Sequence, residues 1–287
     1  MRCPTCDRNA APDADTCPAG HVLADDAGVI RLLPADLRDR VAALEAAVTV
    51  WRREQGRMPL PAPALRDLPF GEAVRRDHEW KLRRADLSLV RRLLHGRRSA
   101  AGGALRILDV GAWNGWLSAR LASDGHAATA LDLFAGPDAL GARHQLPGDW
   151  RAVQADPTDL GRLGDRFDVV ILDRCLSFQP DPAAAVRGAV AVTEPGGVVI
   201  ATGLTFPGDP EFAATRLEAE RAAFRVRCGM DLLLRPARGM LTEVEAAALS
   251  AAGMRLRDHP FLRIANIRAR VDAGRPRHRY GTQEVGG

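Results

Sequence analysis

Four aspartates stand where apolar runs come to a stop. Asp109 lies near the end of RILDV (106–110), Asp132 in ATALDL (128–133), Asp156 at the end of WRAVQAD (150–156) and Asp173 at the end of FDVVILD (167–173). A carboxylate in such a place accepts hydrogen bonds from a ligand's hydroxyl and amino groups, or takes a proton. Directly after the first run come Gly111 and Gly115, separated by Ala112, Trp113 and Asn114, and then the helical pattern WLSARLAS. Glycines there let a backbone approach a ligand closely. A dinucleotide turn needs G-x-G-x-x-G. This one reads G-A-W-N-G, with Trp113 in place of the middle glycine, and fails that fingerprint.

A second set could hold a metal. Cys3 and Cys6 form a CxxC knuckle, with Cys17 and His21 downstream. Three thiolates and one imidazole fill a tetrahedral zinc site and leave no open position, so the ion would be structural. Such a short segment buries too little apolar surface to fold alone, and a metal would supply the missing stability. A CxxC second knuckle would place cysteine at Gly20; His21 is the substitute. Cys175 and Cys228 stand alone.

The elements that must position the acids follow from the same runs. RILDV is short, apolar and reads as a buried parallel strand. ATALDL, WRAVQAD and FDVVILD read the same way, and PGGVVIATG (195–203) adds a fifth strand behind a Pro-Gly-Gly turn. Helical or loop patterns separate them. That rhythm predicts a doubly wound, Rossmann-like α/β sheet, with ligands beyond the carboxyl ends of its strands.

The flanks are read more coarsely. GVIRLLP (28–34) is expected to be a short strand ended by proline. Leu37, Val41, Leu44, Val48 and Trp51 have helical spacing, MPLPAPALRDLP (58–69) an irregular one, and residues 71–94 a helical one again. GRRSAAGG (96–103) is expected to be a linker. The division is therefore a metal-binding head at 1–34, a helical lead-in or cap at 35–100, and the α/β domain at 101–287. Residues 211–224 look helical inside a lid-like insertion at 204–240. Thr242 and Glu245 have the spacing of a capping box. Residues 254–273 are expected to form the last two strands as a hairpin, and RPRHRYGTQEVGG a loose tail.

The 287 residues carry 46% hydrophobic and 26% charged side chains, ordinary for a globular protein. No apolar run approaches the length of a membrane span, so no membrane partner is expected. MRCPTC has no apolar signal-peptide core, which makes the cytoplasm the expected compartment. The formal charge is +4, but basic residues interleave with acids, and all but Lys81 are arginine. A solvated surface accounts for that charge as well as a nucleic-acid partner does.

DVGAWNGWLSARLA followed by ALDL resembles the first motif, and its acidic partner, of class I S-adenosylmethionine-dependent methyltransferases. Many members read D-[LV]-G-A-G-N-G-W-L-S, so Trp113 departs at one position and narrows the pocket or covers the methionine chain. The resemblance implies a seven-stranded sheet. It also implies that Asp109 and Gly111 to Gly115, with Ala112, Trp113 and Asn114, line the methionine and ribose. Asp132 would accept from the ribose hydroxyls, Leu133 flank the adenine, and Asp156 accept from the adenine amino group beside Pro157. Trp80, with Arg83 and Arg84, lies where such enzymes lay a helix over the cofactor. FDVVILDRCLSFQPDP resembles the fourth motif, but relatives read L-H-H or L-H-Y where this chain has Leu176, Ser177 and Phe178. Any help those histidines give is absent. Asp173 either touches ligand or braces the loop through Arg174, itself placed at the cofactor. Asp173, His144 and His78 are the candidate bases. CPTC followed by CPAGH resembles the zinc-ribbon heads of some bacterial methyltransferases, ribosomal RNA guanine-N1 methyltransferases among them.

Three functions are open at this point. One is methyl transfer to an oxygen, nitrogen or carbon of a small molecule, which the insertion favours. Another is methylation of an RNA base, with the head as RNA grip. The third is a scaffold without catalysis, in which Trp113 blocks the cradle.

Overall fold

A computed structural model describes residues 1–11, 14–57, 59–97 and 103–286. Five parallel strands build the centre: β2 (Arg106–Val110), β3 (Ala127–Asp132), β4 (Arg151–Gln154), β5 (Phe167–Asp173) and β6 (Thr193–Phe206). β5 is buried at all seven positions, as a strand covered on both faces must be. Neighbouring residues feed opposite faces. Ile107 and Ala130 join one core cluster, Leu108 and Leu131 the other.

With β1 (Val29–Arg31), β7 (Arg255–Asp258) and β8 (Arg277–Glu284), the sheet has eight strands in the order β1-β4-β3-β2-β5-β6-β8-β7, one more than the expected seven. The additional strand is β1 from the N-terminal segment, which pairs in parallel with β4. The head therefore extends the main sheet. Met1, Cys3, Cys17, Leu23 and Leu32 share a core with residues of β5, β6 and α5 (Pro182–Ala191).

The lead-in holds α1 (Ala35–Glu54), α2 (Ala62–Arg66) and α3 (His78–Leu94). α2 lies inside the stretch expected to be irregular, whose Met58 is outside the described residues. The helix expected over 71–94 begins only at His78, because Asp77 caps it by accepting from the Trp80 amide at 2.9 Å. A single 3-10 turn precedes it. Of the expected linker, residues 98–102 lie outside the described residues.

α4 (Trp116–Ser123) follows β2. α6 (Pro210–Cys228) starts on the Asp209 cap and rests on α1 through an edge-to-face contact of Phe224 with Trp51 at 5.7 Å. α7 (Glu243–Ala251) has the expected capping box of Thr242 and Glu245. The C-terminal expectation needs correcting. β7 (Arg255–Asp258) and β8 (Arg277–Glu284) do pair antiparallel, but α8 (Arg263–Val271) stands between them, so they are no tight hairpin. The expected loose tail is β8 itself, an inner strand between β6 and β7. Its buried residues include His278 and Tyr280, which give no aliphatic signal.

Candidate active site at the carboxyl edge of the sheet

The loop from β2 to α4 is built on left-handed backbone. Gly111 and Gly115 have φ of +80° and Trp113 has φ of +53°. The glycines have protein neighbours to satisfy as well as any ligand. A Cβ on Gly115 would run into the Trp150 indole, and one on Gly111 into the Cys175 side chain. Trp113 holds a conformation that costs a non-glycine residue about 1–2 kcal/mol. Its amide donates to Asp132 Oδ2 at 2.8 Å. Its indole is flanked by Arg52 at 5.0 Å and Arg83 at 5.4 Å and tilts against Trp80 at 6.4 Å. Trp113 thus ties the loop to α1 and α3. Ala112 and Asn114 are buried, and Asn114 Oδ1 accepts from the Trp116 amide at the start of α4.

The aspartates separate into two groups. Asp109, Asp132 and Asp173 converge at the ends of adjacent strands, and burial raises the pKa of each. Asp109 is pushed up to about 8 by burial and then by the charge of Asp173. The Ser118 hydroxyl donates to its Oδ2 at 2.9 Å, while its buried Oδ1 has no partner among the described residues. Asp132 rises through burial although the amides of Phe134 and Trp113 donate to it. Asp173 rises through burial and the charge of Asp86, against Arg174 and Arg83; Thr202 Oγ1 donates to it at 2.9 Å. Two buried carboxyl groups and a half-buried one held together, one with an orphan oxygen, suit a ligand that brings positive charge and hydroxyl donors.

Asp156 is different. Burial pushes it up most, but the hydrogen bonds from Arg235 and Thr158 and the charge of Arg235 together hold it below the ordinary range. Arg235 grips both its oxygens, and Thr158 donates to Oδ1. The carboxylate expected at the adenine ties the segment after α6 to the end of β4. Leu133 and Pro157 are half-buried beside it, and the Leu133 carbonyl accepts from Gln154 Nε2 at 2.8 Å.

Arg174 is engaged by α3. It donates to Asp86 of α3 at 2.7 Å, across Gly203, because a buried aspartate there needs a countercharge. Trp80 is buried edge-on against Trp116 at 5.6 Å. Arg83 pairs with Glu79 and comes within 4.0 Å of Asp173, whereas Arg84 holds backbone carbonyls of Pro69, Val74 and Arg75. His144 and His78 are both exposed.

Beyond the ends of β5 and β6 lies a cavity of about 260 Å³, lined in part by Arg174, Leu176, Ser177, Thr205, Met240 and Leu241. Sequence reasoning missed the polar group behind it. His278 Nδ1 lies 3.4 Å from Thr205 Oγ1, and His259 Nε2 lies 3.3 Å from Asp86. Burial, then the charge of Arg174, lowers the His278 pKa. Both histidines fall in stretches read as hairpin and tail, where only the observed topology brings them to the site.

The head brings its four candidate ligands together. The Sγ atoms of Cys3, Cys6 and Cys17 and a ring nitrogen of His21 lie within 4.8 Å of one another. Neighbouring pairs are 3.3 Å (Cys17–His21), 3.6 Å (Cys3–His21) and 3.7 Å (Cys6–Cys17) apart. Tetrahedral zinc with ordinary bond lengths sets such ligands about 3.5–3.8 Å apart. The amides of Thr5 and Ala19 each donate to a cysteine sulfur two residues back, at 3.4 Å, as suits thiolates.

A family model described as "Methyltransferase domain" matches residues 108–201. The core of this chain is similar to that domain. The ubiquinone biosynthesis O-methyltransferase of Pseudomonas aeruginosa (strain LESB58) is 33% identical over 98 residues, which are 33% of this chain and 42% of that protein. The one from Azotobacter vinelandii is 35% identical over 98 residues, with the same two shares. The chain thus spans less than half the length of these relatives. Among solved structures, the Burkholderia thailandensis 1,6-didemethyltoxoflavin-N1-methyltransferase has a TM-score of 0.48 at 19% identity, over 87% of this chain and 91% of that one.

Proposed function

We propose that this protein transfers a methyl group from S-adenosylmethionine to a small-molecule acceptor. The observation that carries the reading is the meeting of Asp132 with the left-handed Gly111–Gly115 loop, inside the stretch similar to a methyltransferase domain. Asp132 would take the ribose hydroxyls with its remaining lone pairs. The loop and the carboxyl of Asp109 would face the methionine end, and Leu133 and Pro157 would flank the adenine. When bound, the cofactor supplies an electrophilic methyl on a sulfonium, itself a good leaving group. The chain's part is to align an acceptor and keep water out. The cavity beside Thr205 and Arg174 is of small-molecule size, and the curated relatives are named for an O-methylation in ubiquinone biosynthesis. An oxygen, nitrogen or carbon acceptor fits this reading. Residues 101–287 would form the catalytic domain, with a lid around 204–240, and residues 35–100 a cap.

The same reading gives residues 1–34 a structural zinc ion, held by Cys3, Cys6, Cys17 and His21. The head's expected use as an RNA grip gains nothing from a segment whose residues are packed into the main core.

Calorimetric titration of metal-assayed protein with S-adenosylmethionine and S-adenosylhomocysteine, with NAD as control, tests the proposal. Micromolar binding of the first two is expected, lost in Asp132→Ala. A folded, zinc-loaded protein that binds neither would sink it and leave a scaffold whose cradle Trp113 closes.

A further inference from the structure

β7 runs parallel to β6, so the connection at 259–276 emerges at the same edge as the candidate site. It gathers four exposed large apolar side chains in one short stretch. Phe261, Ile264, Ile267 and Val271 are 48%, 69%, 56% and 85% exposed. They are four of the eleven large apolar side chains that are exposed among the described residues. On α8, positions 264, 267 and 271 fall on one face at about 100° per residue. The opposite face is fixed, because Asn266 exchanges two 2.8 Å hydrogen bonds with the backbone of His278 in β8. The apolar face therefore points outward as a consequence of how the helix is anchored.

Charge is concentrated in the same place. Residues 255–279 hold eight arginines and two aspartates, a formal +6, whereas the whole chain carries +4. The rest of the molecule is therefore net negative, by two charges. On the helix, Arg268 borders the apolar face on one side and Arg263 and Arg270 on the other, all exposed. Asp258 engages Arg270 and Arg277, and Asp272 engages Arg275; Arg263 and Arg268 have no ion pair among the described residues.

We infer that α8 is a docking surface for an anionic lipid bilayer. An apolar stripe bordered by arginines matches an interface with acyl chains below and phosphate headgroups at its sides. The helix has nine residues. It would lie in the interface, and no described helix is long and apolar enough to cross. Two other occupants fit less well. A second copy docked by two-fold symmetry would press two strongly basic segments together. RNA would engage the arginines but leave isoleucine, valine and phenylalanine in water.

The docked face adjoins the cavity. Pro276, just after α8, lines it together with Pro207 and Ala213. Gly208 packs against the carbonyls of Ala273 and Arg275, just after the helix. A bilayer under α8 would lie next to the cavity mouth, so the acceptor would be a lipid-soluble molecule drawn from the membrane. That last step rests on the methyl-transfer reading; the docking does not.

Cosedimentation of the zinc-loaded full chain with vesicles tests it. Phosphatidylcholine–phosphatidylglycerol vesicles should pellet the protein at low salt. Pure phosphatidylcholine, or high salt, should weaken binding at least about tenfold. The triple variant Ile264→Ser, Ile267→Ser, Val271→Ser should lose at least about tenfold, with its melting temperature and S-adenosylhomocysteine binding unchanged. Arg263→Gln with Arg268→Gln should remove much of the salt dependence. The inference is overturned by a wild type that stays in the supernatant, or by a triple variant that still pellets. It is equally overturned if the triple substitution abolishes self-association or RNA retention in a protein that ignores vesicles. A wild type that pellets but binds no S-adenosylhomocysteine would keep the docking and reject the methyl-transfer reading.

Discussion

The two edges of the sheet are finished in opposite ways. At one, the three-residue strand β1 pairs with β4, and the segments flanking it are buried against the core through Leu23, Leu32, Cys3 and Cys17. At the other, the four-residue edge strand β7 pairs only with β8, which is laddered on both sides, and α8 in the connection between them turns Ile264, Ile267 and Val271 to the outside. β1 makes only three parallel pairs with β4, so burial of the head holds that edge, and the proposed zinc would add to it. β7 is held through the eight-residue strand β8, itself paired on both sides, which leaves the β7–β8 connection free to meet something else. One edge is closed by stability and the other kept open for contact.

The sharpest way to break that contrast is to strip the proposed zinc. Chelation should melt the head, lower the melting temperature in calorimetry and open residues 1–33 to proteolysis, while the 255–286 region keeps its amide protection. A fully metal-free protein with unchanged melting would show that burial alone closes the edge. Next in size, Leu32→Ala should cost about 2–5 kcal/mol in urea unfolding, the range for a buried leucine. The centre of the sheet supplies a reference that belongs to neither edge. Asp109 titrates near 8 in the fold and near 4 when unfolded, so between those values the folded chain holds the extra proton. Stability therefore falls as pH rises through that window. Asp109→Asn should flatten the fall; a wild-type stability independent of pH between about 5 and 8 would contradict the buried, protonated carboxyl. The smallest effect belongs to the open edge. Ile267→Ser should stay within about 0.5 kcal/mol of wild type, as exposed positions do. A cost of several times that would mean α8 is packed, and the contrast would fall.

How much could be read in advance differs along the chain for physical reasons. β2, β3 and β5 match their predicted runs closely, because a strand covered on both faces must be apolar throughout. The four head ligands were visible as spacing, and the capping box of Thr242 as a local pair. β8 was not visible. RHRYGTQE hides its inward residues as His278 and Tyr280, whose burial is made tolerable by Asn266, Thr205 and the neighbouring strands. The same limit applies to Arg174, whose partner Asp86 lies 88 positions away, and to Asp156, whose partner Arg235 lies 79 away.

What the sequence by itself determined is the parallel centre of the sheet, the glycine loop at its carboxyl edge and the presence of a metal-type cluster. Each rests on residues close together in the chain, whose periodicity or spacing carries the physics. Only the tertiary structure decided that the head adds a strand to the sheet, which carboxylates remain available to a ligand, and which way α8 faces. Those outcomes depend on charges and surfaces that meet across tens of residues, and a long-range pairing leaves no local pattern to read.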